Sequence, residues 1–353
     1  MKKVLYTLLL SLTITLLAAP PVRAQFLSLD TIASWGKFPK FCIDTYRWGD
    51  KFFNSYDSTY VVGTGKRFNI KLRTDSWTDV YNFYFDEEPY TRMNMMSTPT
   101  TSAGFWLTYM AVSVGYDMNV GKYFGGGEAR RRWSFQFNCS LFAADAYFSN
   151  NDVATNINSV GPRGNIKKTD IPFDGIHNEL WGLDLYYFFN HKHYSQAAAF
   201  AFSKLQVKSS GSFYAGLSFW GLNYDFNFNS LPDDIKLQLP LSKYDYYYRT
   251  RSTNYALRLG YGYNWVFRKG WTLAVSESPI IGLRRGWLLD LESDKSSLSF
   301  YNRFKASVVY NHGNWFAGAI FRMENALFYD KSHTMLGSTL SFETSLGYRF
   351  NLW

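Results

Sequence analysis

Between Tyr255 and Phe267 the chain alternates without a break. Tyr255, Leu257, Leu259, Tyr261, Tyr263, Trp265 and Phe267 oppose Ala256, Arg258, Gly260, Gly262 and Asn264. A period of two is the period of an extended strand, whose successive side chains point to opposite faces. Thirteen residues of it, with an unbroken aromatic and aliphatic face backed by a small and cationic one, is too long and too apolar for an ordinary sheet edge. The same unit recurs. Phe300, Asn302, Phe304, Ala306, Val308 and Tyr310 oppose Tyr301, Arg303, Lys305, Ser307 and Val309. At the C-terminus Leu340, Phe342, Leu346, Tyr348, Phe350 and Leu352 oppose Ser341, Glu343, Ser345, Gly347, Arg349 and Asn351, leaving Trp353 one residue out of phase.

Composition fits strands that cross a membrane better than helices that do. Aromatics make up 20% of the 353 residues, as 27 Tyr, 31 Phe and 12 Trp, while mean hydropathy is slightly negative. Past the N-terminus there is no run of about 20 apolar residues such as a spanning helix needs. Aromatics on short alternating segments suit the girdles of a transmembrane β-barrel.

The first 24 residues stand apart. Lys2 and Lys3 precede an apolar core from Val4 to Ala19, and Val22-Arg23-Ala24 has the form of a cleavage site, so 1–24 reads as a signal peptide cut after Ala24. Cleavage removes Lys2, Lys3 and Arg23 from the 37 basic residues and none of the 28 acidic ones, leaving a net +6. That charge is spread along the chain, so no nucleic-acid partner is expected. The two cysteines, Cys42 and Cys139, are far apart and are expected to stay unpaired.

Residues 25–66 lack alternation and read as a periplasmic N-terminal segment or plug, and 67–353 as the barrel. Strand candidates fall at 67–73, 79–86, 102–109, 111–119, 132–140, 142–148, 179–189, 195–203, 212–229, 255–268, 271–281, 300–310, 315–327 and from 335 on, which makes the expected fold an all-β antiparallel transmembrane barrel of about 14 strands, with a range of 12 to 16. Two features strain this count. In 212–229 the apolar register moves at Trp220-Gly221, which predicts a bulge or a tight turn. The long links at 120–131, 149–178, 230–253 and 284–297 also do not all emerge on one side of 14 strands, as barrel loops should.

Several stretches together carry a resemblance. MNMMSTPTTSAGFWLTYMAVSVGY, HYSQAAAFAFSKLQVKSSGSFYAGLSFW, NHGNWFAGAIF and the closing SLGYRF are similar to a Gram-negative outer-membrane barrel family whose defining domain has no assigned function. The resemblance would cover roughly Tyr56 to Phe350, and its motifs are structural. It implies an outer-membrane location and brings no catalytic residues or cofactor. The last strand also resembles the closing strand of outer-membrane barrels, which implies that Tyr348, Phe350 and Trp353 act as the signal for the barrel-assembly machinery.

If the greasy register faces lipid, the other register puts Arg67, Lys71, Arg73, Arg258, Arg303, Lys305, Arg322 and Arg349 in the lumen, with Glu324 and Glu343 as partial partners. An Arg or Lys turned to lipid at mid-bilayer would cost about 2 to 4 kcal/mol. Such a lining either selects anionic solutes or pairs with acids and tyrosines to hold a filled barrel. Arg130, Arg131 and Arg132, after a glycine run, are candidates for lipid-phosphate contact at the rim. His191-Lys192-His193 reads as a turn rather than a metal site, and no histidine sits in a catalytic motif. The expected function is a monomeric channel or transporter for small or amphiphilic solutes. The alternatives are a structural or surface-interaction barrel with a filled lumen and, behind it, a lipid-modifying enzyme; no enzyme activity, metal or cofactor is expected, and outer-membrane lipid is the expected surrounding.

Overall fold

The computed structural model describes residues 34, 36–53, 55–86, 88, 90–120, 131–152, 154–174, 176–239, 247–288, 295–329 and 333–351. The signal peptide, Arg130 and Trp353 lie outside them. The chain divides into two units, one of 1–51 with 352–353 and one of 52–351. The first contributes a helix, α1 (Lys37–Phe53), that exposes Phe41 and Trp48. No described helix is long and apolar enough to cross a membrane.

In the second unit the chain runs β1 (Val61–Gly63), β2 (Phe68–Phe85), β3 (Thr91–Ser97), β4 (Thr100–Tyr109), β5 (Val112–Asn119), β6 (Arg131–Asn138), β7 (Phe142–Asp152), β8 (Thr155–Pro162), β9 (Lys167–Phe173) and β10 (Ile176–Phe188). It continues with β11 (Lys204–Gln206), β12 (Ser210–Asn227), a short helix α2 (Asp233–Lys236), β13 (Tyr247–Arg268), β14 (Trp271–Leu288), β15 (Lys295–His312), β16 (Trp315–Tyr329) and β17 (His333–Phe350). Twelve strands, β2, β4–β7, β10 and β12–β17, pair antiparallel in a ring that β17 closes on β2. Stepping across paired residues from Phe68 through Tyr109, Leu185, Leu257, Phe300 and Leu336 leads back to β2 at Asn82, fourteen positions above the start. That stagger tilts the strands at about 40°, the range of membrane barrels.

The expected 14 strands become twelve for two physical reasons. Segments 67–73 and 79–86 are one strand, β2, because its apolar register changes along its length without any break in pairing to β17. Segment 195–203 is not a strand but a π-helical turn, Ala197–Ala201, with its approaches. With twelve strands, the links after β5, β7, β12, β14 and β16 all leave from one end, here the loop end. Tight turns at 110–111, 139–141, 269–270 and 313–314 occupy the other, the turn end. Gly270 and Gly313 take φ of 80° and 57° there, which suits glycine.

The apparent slip at Trp220-Gly221 is also resolved. β12 pairs residue for residue with β13 from Ser210 to Asn227 and with β10 from Tyr214 to Phe226, with no bulge. What changes is the medium. Near the turn end Phe213 and Leu217 point out and Ser212 and Ser218 point in; farther on Trp220, Leu222 and Phe226 point in and are buried. β2 behaves alike: Leu72 faces out opposite buried Lys71 and Arg73, whereas Tyr81, Phe83 and Phe85 face in. These strands outrun the apolar belt, and beyond it water lies outside, so the greasy face turns to the interior.

That interior apolar face is a cap at the loop end. β3, β8 and β9 extend the sheet from the upper half of β2. With α2 and the loop-end parts of β2, β10, β12, β16 and β17 they bury one core containing Phe83, Met95, Ile157, Phe226, Phe228 and Met335.

On the outside, rings stack along the turn end from Trp265 through Phe267 and Trp271 to Tyr310. A second run links Trp315, Tyr348, Phe350, Phe68 and Tyr109. The belt above them is apolar and rich in leucine, with Leu72, Leu257 and Leu259 60%, 67% and 66% exposed and Phe105 beside Leu72. Glu277 is an outward exception; next to it Pro279 interrupts the ladder between β13 and β14. Because Leu259 points from the belt, Leu259→Arg is expected to cost the folded barrel about 2 to 4 kcal/mol in lipid. Reversible denaturant titration in vesicles reads this, and an unchanged midpoint would contradict the lipid-facing register.

Candidate functional site: a charged layer between two plugs

Strand alternation sends the polar register into the lumen, where two ion-pair groups form. The first centres on Glu343 of β17, which has no exposed surface. Its carboxylate accepts from Lys71 at 3.3 Å, Arg73 at 2.9 Å and Arg322 at 2.5 Å, and from Ser345 Oγ at 2.8 Å. Arg73 also forms a two-pronged pair with Asp117 of β5, its Nε 2.8 Å from Oδ1. The guanidinium of Arg73 and the ammonium of Lys71 lie 4.5 and 4.7 Å from the centroid of the Trp106 indole. The second centres on Asp184 of β10, which accepts from Arg258 at 2.9 Å and Arg303 at 2.8 Å. Arg258 also donates to Tyr186 Oη at 2.9 Å and to Ser218 Oγ, and Arg303 meets Glu324 at 2.8 Å.

At the turn end the link between β10 and β12 folds into the barrel. Asn264 donates to the Ser195 carbonyl at 3.0 Å and to Gln206 Oε1 at 2.9 Å, and Ser307 Oγ donates to the Ala199 carbonyl at 2.8 Å. The π-helical turn ends at Phe202, a non-glycine residue held at φ 58°. Such a backbone persists only when its surroundings hold it. Arg349 does so, donating from Nε at 3.1 Å and from a terminal nitrogen at 2.6 Å to the Phe202 carbonyl. Small wall residues make room. A Cβ at Gly318 would sit 2.7 Å from the Phe202 ring, and one at Gly262 2.3 Å from the Tyr194 hydroxyl. β11 pairs with β1 beneath this plug, and Tyr56 reaches Ser195.

Nine of the expected luminal residues are therefore inside the barrel: Lys71, Arg73, Arg258, Arg303, Lys305, Arg322, Glu324, Glu343 and Arg349. Arg67 is not. It precedes β2 and is exposed at the turn end, where its N–H donates to Asn351. Of the arginine run, Arg131 begins β6, and Arg132 turns into the lumen over the Tyr147 ring rather than out to lipid phosphate. Tyr348 and Phe350 belong to the turn-end girdle. His193 sits in a turn, 3.4 Å from Asp57. Cys139 is a free thiol, buried in the turn after β6, and burial pushes its pKa up.

Of the two expected linings, one free to select anions and one paired with acids, the observed one is mixed in charge. Asp75, Asp117, Asp145 and Asp184 join Glu324 and Glu343 in the inward register. The same alternation marks them, since Asp117 lies between Tyr116 and Met118 and Asp184 between Leu183 and Leu185. The plug has no such signal, because its apolar run of alanines and phenylalanines reads equally well as a strand.

Closed wall, apolar belt, aromatic girdle and packed interior together define an outer-membrane type of β-barrel with a filled lumen. Residues 55–350 match the family model described as Domain of unknown function (DUF4421), and the chain belongs to that family. A comparison with curated proteins gives no match. Among solved structures the chain is similar to the outer membrane protease OmpT from Escherichia coli, at 8% identity and a TM-score of 0.33, with 80% of this chain and 96% of that one covered. It is also similar to the translocator domain of the autotransporter NalP from Neisseria meningitidis, at 10% identity and 0.34, covering 93% and 100%. The toluene transporter TodX of P. putida follows at 8% and 0.28, covering 80% and 90%.

Glu343 gathers three cations in a buried layer, so Glu343→Gln strands Lys71 and Arg322 and leaves Arg73 to Asp117 alone. The expected cost is about 3 to 5 kcal/mol, read as a lowered temperature for the heat-induced gel shift of the folded barrel. A variant that shifts at the wild-type temperature would show that the cluster carries no stability.

Proposed function

We propose that the protein is an outer-membrane barrel whose lumen is closed by its own chain, and that it works as a binding scaffold rather than as an open diffusion pore or an enzyme. In this reading the turn end faces the periplasm, the barrel-assembly machinery reads the last strand, and the loop-end cap faces outward. The observation that carries it is the plug at 190–206. It is latched by Arg349, Asn264 and Ser307 below the charged layer, while the apolar core of β3, β8, β9 and α2 packs above. Ion pairs that engage most of the luminal charges suit a filled barrel, since an ion path needs charges free to exchange partners with the permeating ion. The cap offers a structured outer surface, with Trp181 and Tyr255 exposed below it.

A second reading, a transporter for small or amphiphilic solutes, is favoured by cavities that remain within the lumen, and it would require the plug to move. Planar bilayers separate the two. The intact barrel is expected to give no unitary conductance, and deletion of 196–205 is expected to open steps. Steady conductance from the intact barrel would contradict the closed lumen.

A further inference from the structure

Among the described residues, two cavities large enough to hold part of a small ligand persist inside the packed barrel. The lower, about 70 Å³, lies against the plug and is lined by charged side chains together with Tyr147 and Phe200. The upper, about 90 Å³, lies under the cap and is mostly apolar, walled by Trp220, Leu222, Ile280, Tyr301 and Phe328. Arg303 and Glu324 line both, so their ion pair stands at the boundary.

The lower cavity contains a cation the protein does not neutralise directly. Arg73, Arg303 and Arg322 each hold a carboxylate within 2.9 Å. Among the described residues, Lys305 has none within ion-pair distance, and its ammonium rests instead over the rings of Phe200 at 5.3 Å and Tyr186 at 5.9 Å. Asp145 lines the same cavity beyond ion-pair reach, and the lining has five cations against three acids. An ammonium withdrawn from bulk water calls for an acceptor. The upper cavity differs, since Trp220, Leu222, Ile280 and Phe328 give it an apolar wall suited to an apolar guest, with Asn302, Asn325, Ser338 and Thr339 confined to the rest of its lining.

We propose that the lumen binds a small amphiphilic carboxylate, its head on Lys305 and its hydrocarbon or aromatic tail reaching past Arg303 and Glu324 into the chamber under Trp220 and Phe328. This deepens the closed-scaffold reading, because such a ligand would be held within a barrel that conducts nothing. Cations over aromatic faces fix the Lys305 head group in place without consuming its hydrogen bonds. The upper chamber then sets the length and width of the tail.

The test is calorimetric titration of the full barrel in phosphatidylcholine nanodiscs with hexanoate, hexanol and inorganic phosphate. Hexanoate is expected to saturate one site, with hexanol and phosphate each at least tenfold weaker. Lys305→Met should weaken hexanoate at least tenfold while leaving hexanol unchanged. Gly337→Val should weaken it as well, since a Cβ there meets its nearest neighbours at 4.0 Å and the added methyl groups enter the upper chamber. Because Gly337→Val carries no charge change, it tests the tail even if Lys305→Met does not fold. Non-saturating uptake, or equal affinity in wild type and both variants, overturns the proposal. Phosphate binding as tightly as hexanoate overturns the tail chamber. Absence of hexanoate binding in a barrel that is silent in bilayers sinks the ligand and leaves the closed lumen standing.

Discussion

A barrel wall is one residue thick, so each side chain has two destinations, and the medium outside decides which chemistry goes where. Hydrocarbon accepts neither an unpaired backbone group nor a mid-depth charge. The first demand closes β17 on β2 and leaves no edge in the wall. The second drives Lys71, Arg73, Arg258, Arg303, Lys305, Arg322 and Arg349 inward. Once these cations and Arg132 share a narrow interior, acids must come with them, and Glu343 and Asp184 become the hubs of the charged layer.

The same constraint explains the inversion along β2 and β12. Where the wall leaves the belt, water replaces lipid and the apolar residues turn to the axis, so one uninterrupted strand carries two patterns of opposite phase. β17 ties the levels together. Its Glu343 organises the ion pairs and its Arg349 holds the plug at Phe202, while its outward Tyr348 and Phe350 complete the girdle. The strand that closes the barrel is therefore also the one that locks what fills it.

Much of this could be read in advance. β13, β15 and β17 carry long unbroken alternations, so the inward places of Arg258, Arg303, Lys305, Glu343 and Arg349 were legible, and shorter alternations on β2 and β16 did the same for Lys71, Arg73, Arg322 and Glu324. The rest failed where the rule assumes one environment. A change of phase at Trp220-Gly221 looked like a bulge or a tight turn, and 67–73 and 79–86 looked like two strands, because periodicity cannot tell a broken strand from one that leaves the membrane. Residues 195–203 were misread for a related reason. In a run such as Ala197 to Phe202 every face is apolar, and only the partners inside the barrel, Asn264, Ser307 and Arg349, decide that it folds as a turn. Arg67 was placed inside by extending β2 one residue past its end, and Arg132 was grouped with its neighbours although alternation alone sends it inward.

The account stands or falls on whether the β10–β12 link lives inside the barrel. Residue-resolved hydrogen exchange by NMR in nanodiscs measures that directly. The amides of Ala198, Phe202 and Ser203 are bonded within the plug, and the account expects them to exchange as slowly as those of β13 and β14. Exchange as fast as at an exposed turn such as 313–314 would mean that the link hangs outside, and the lumen would then be open from the turn end.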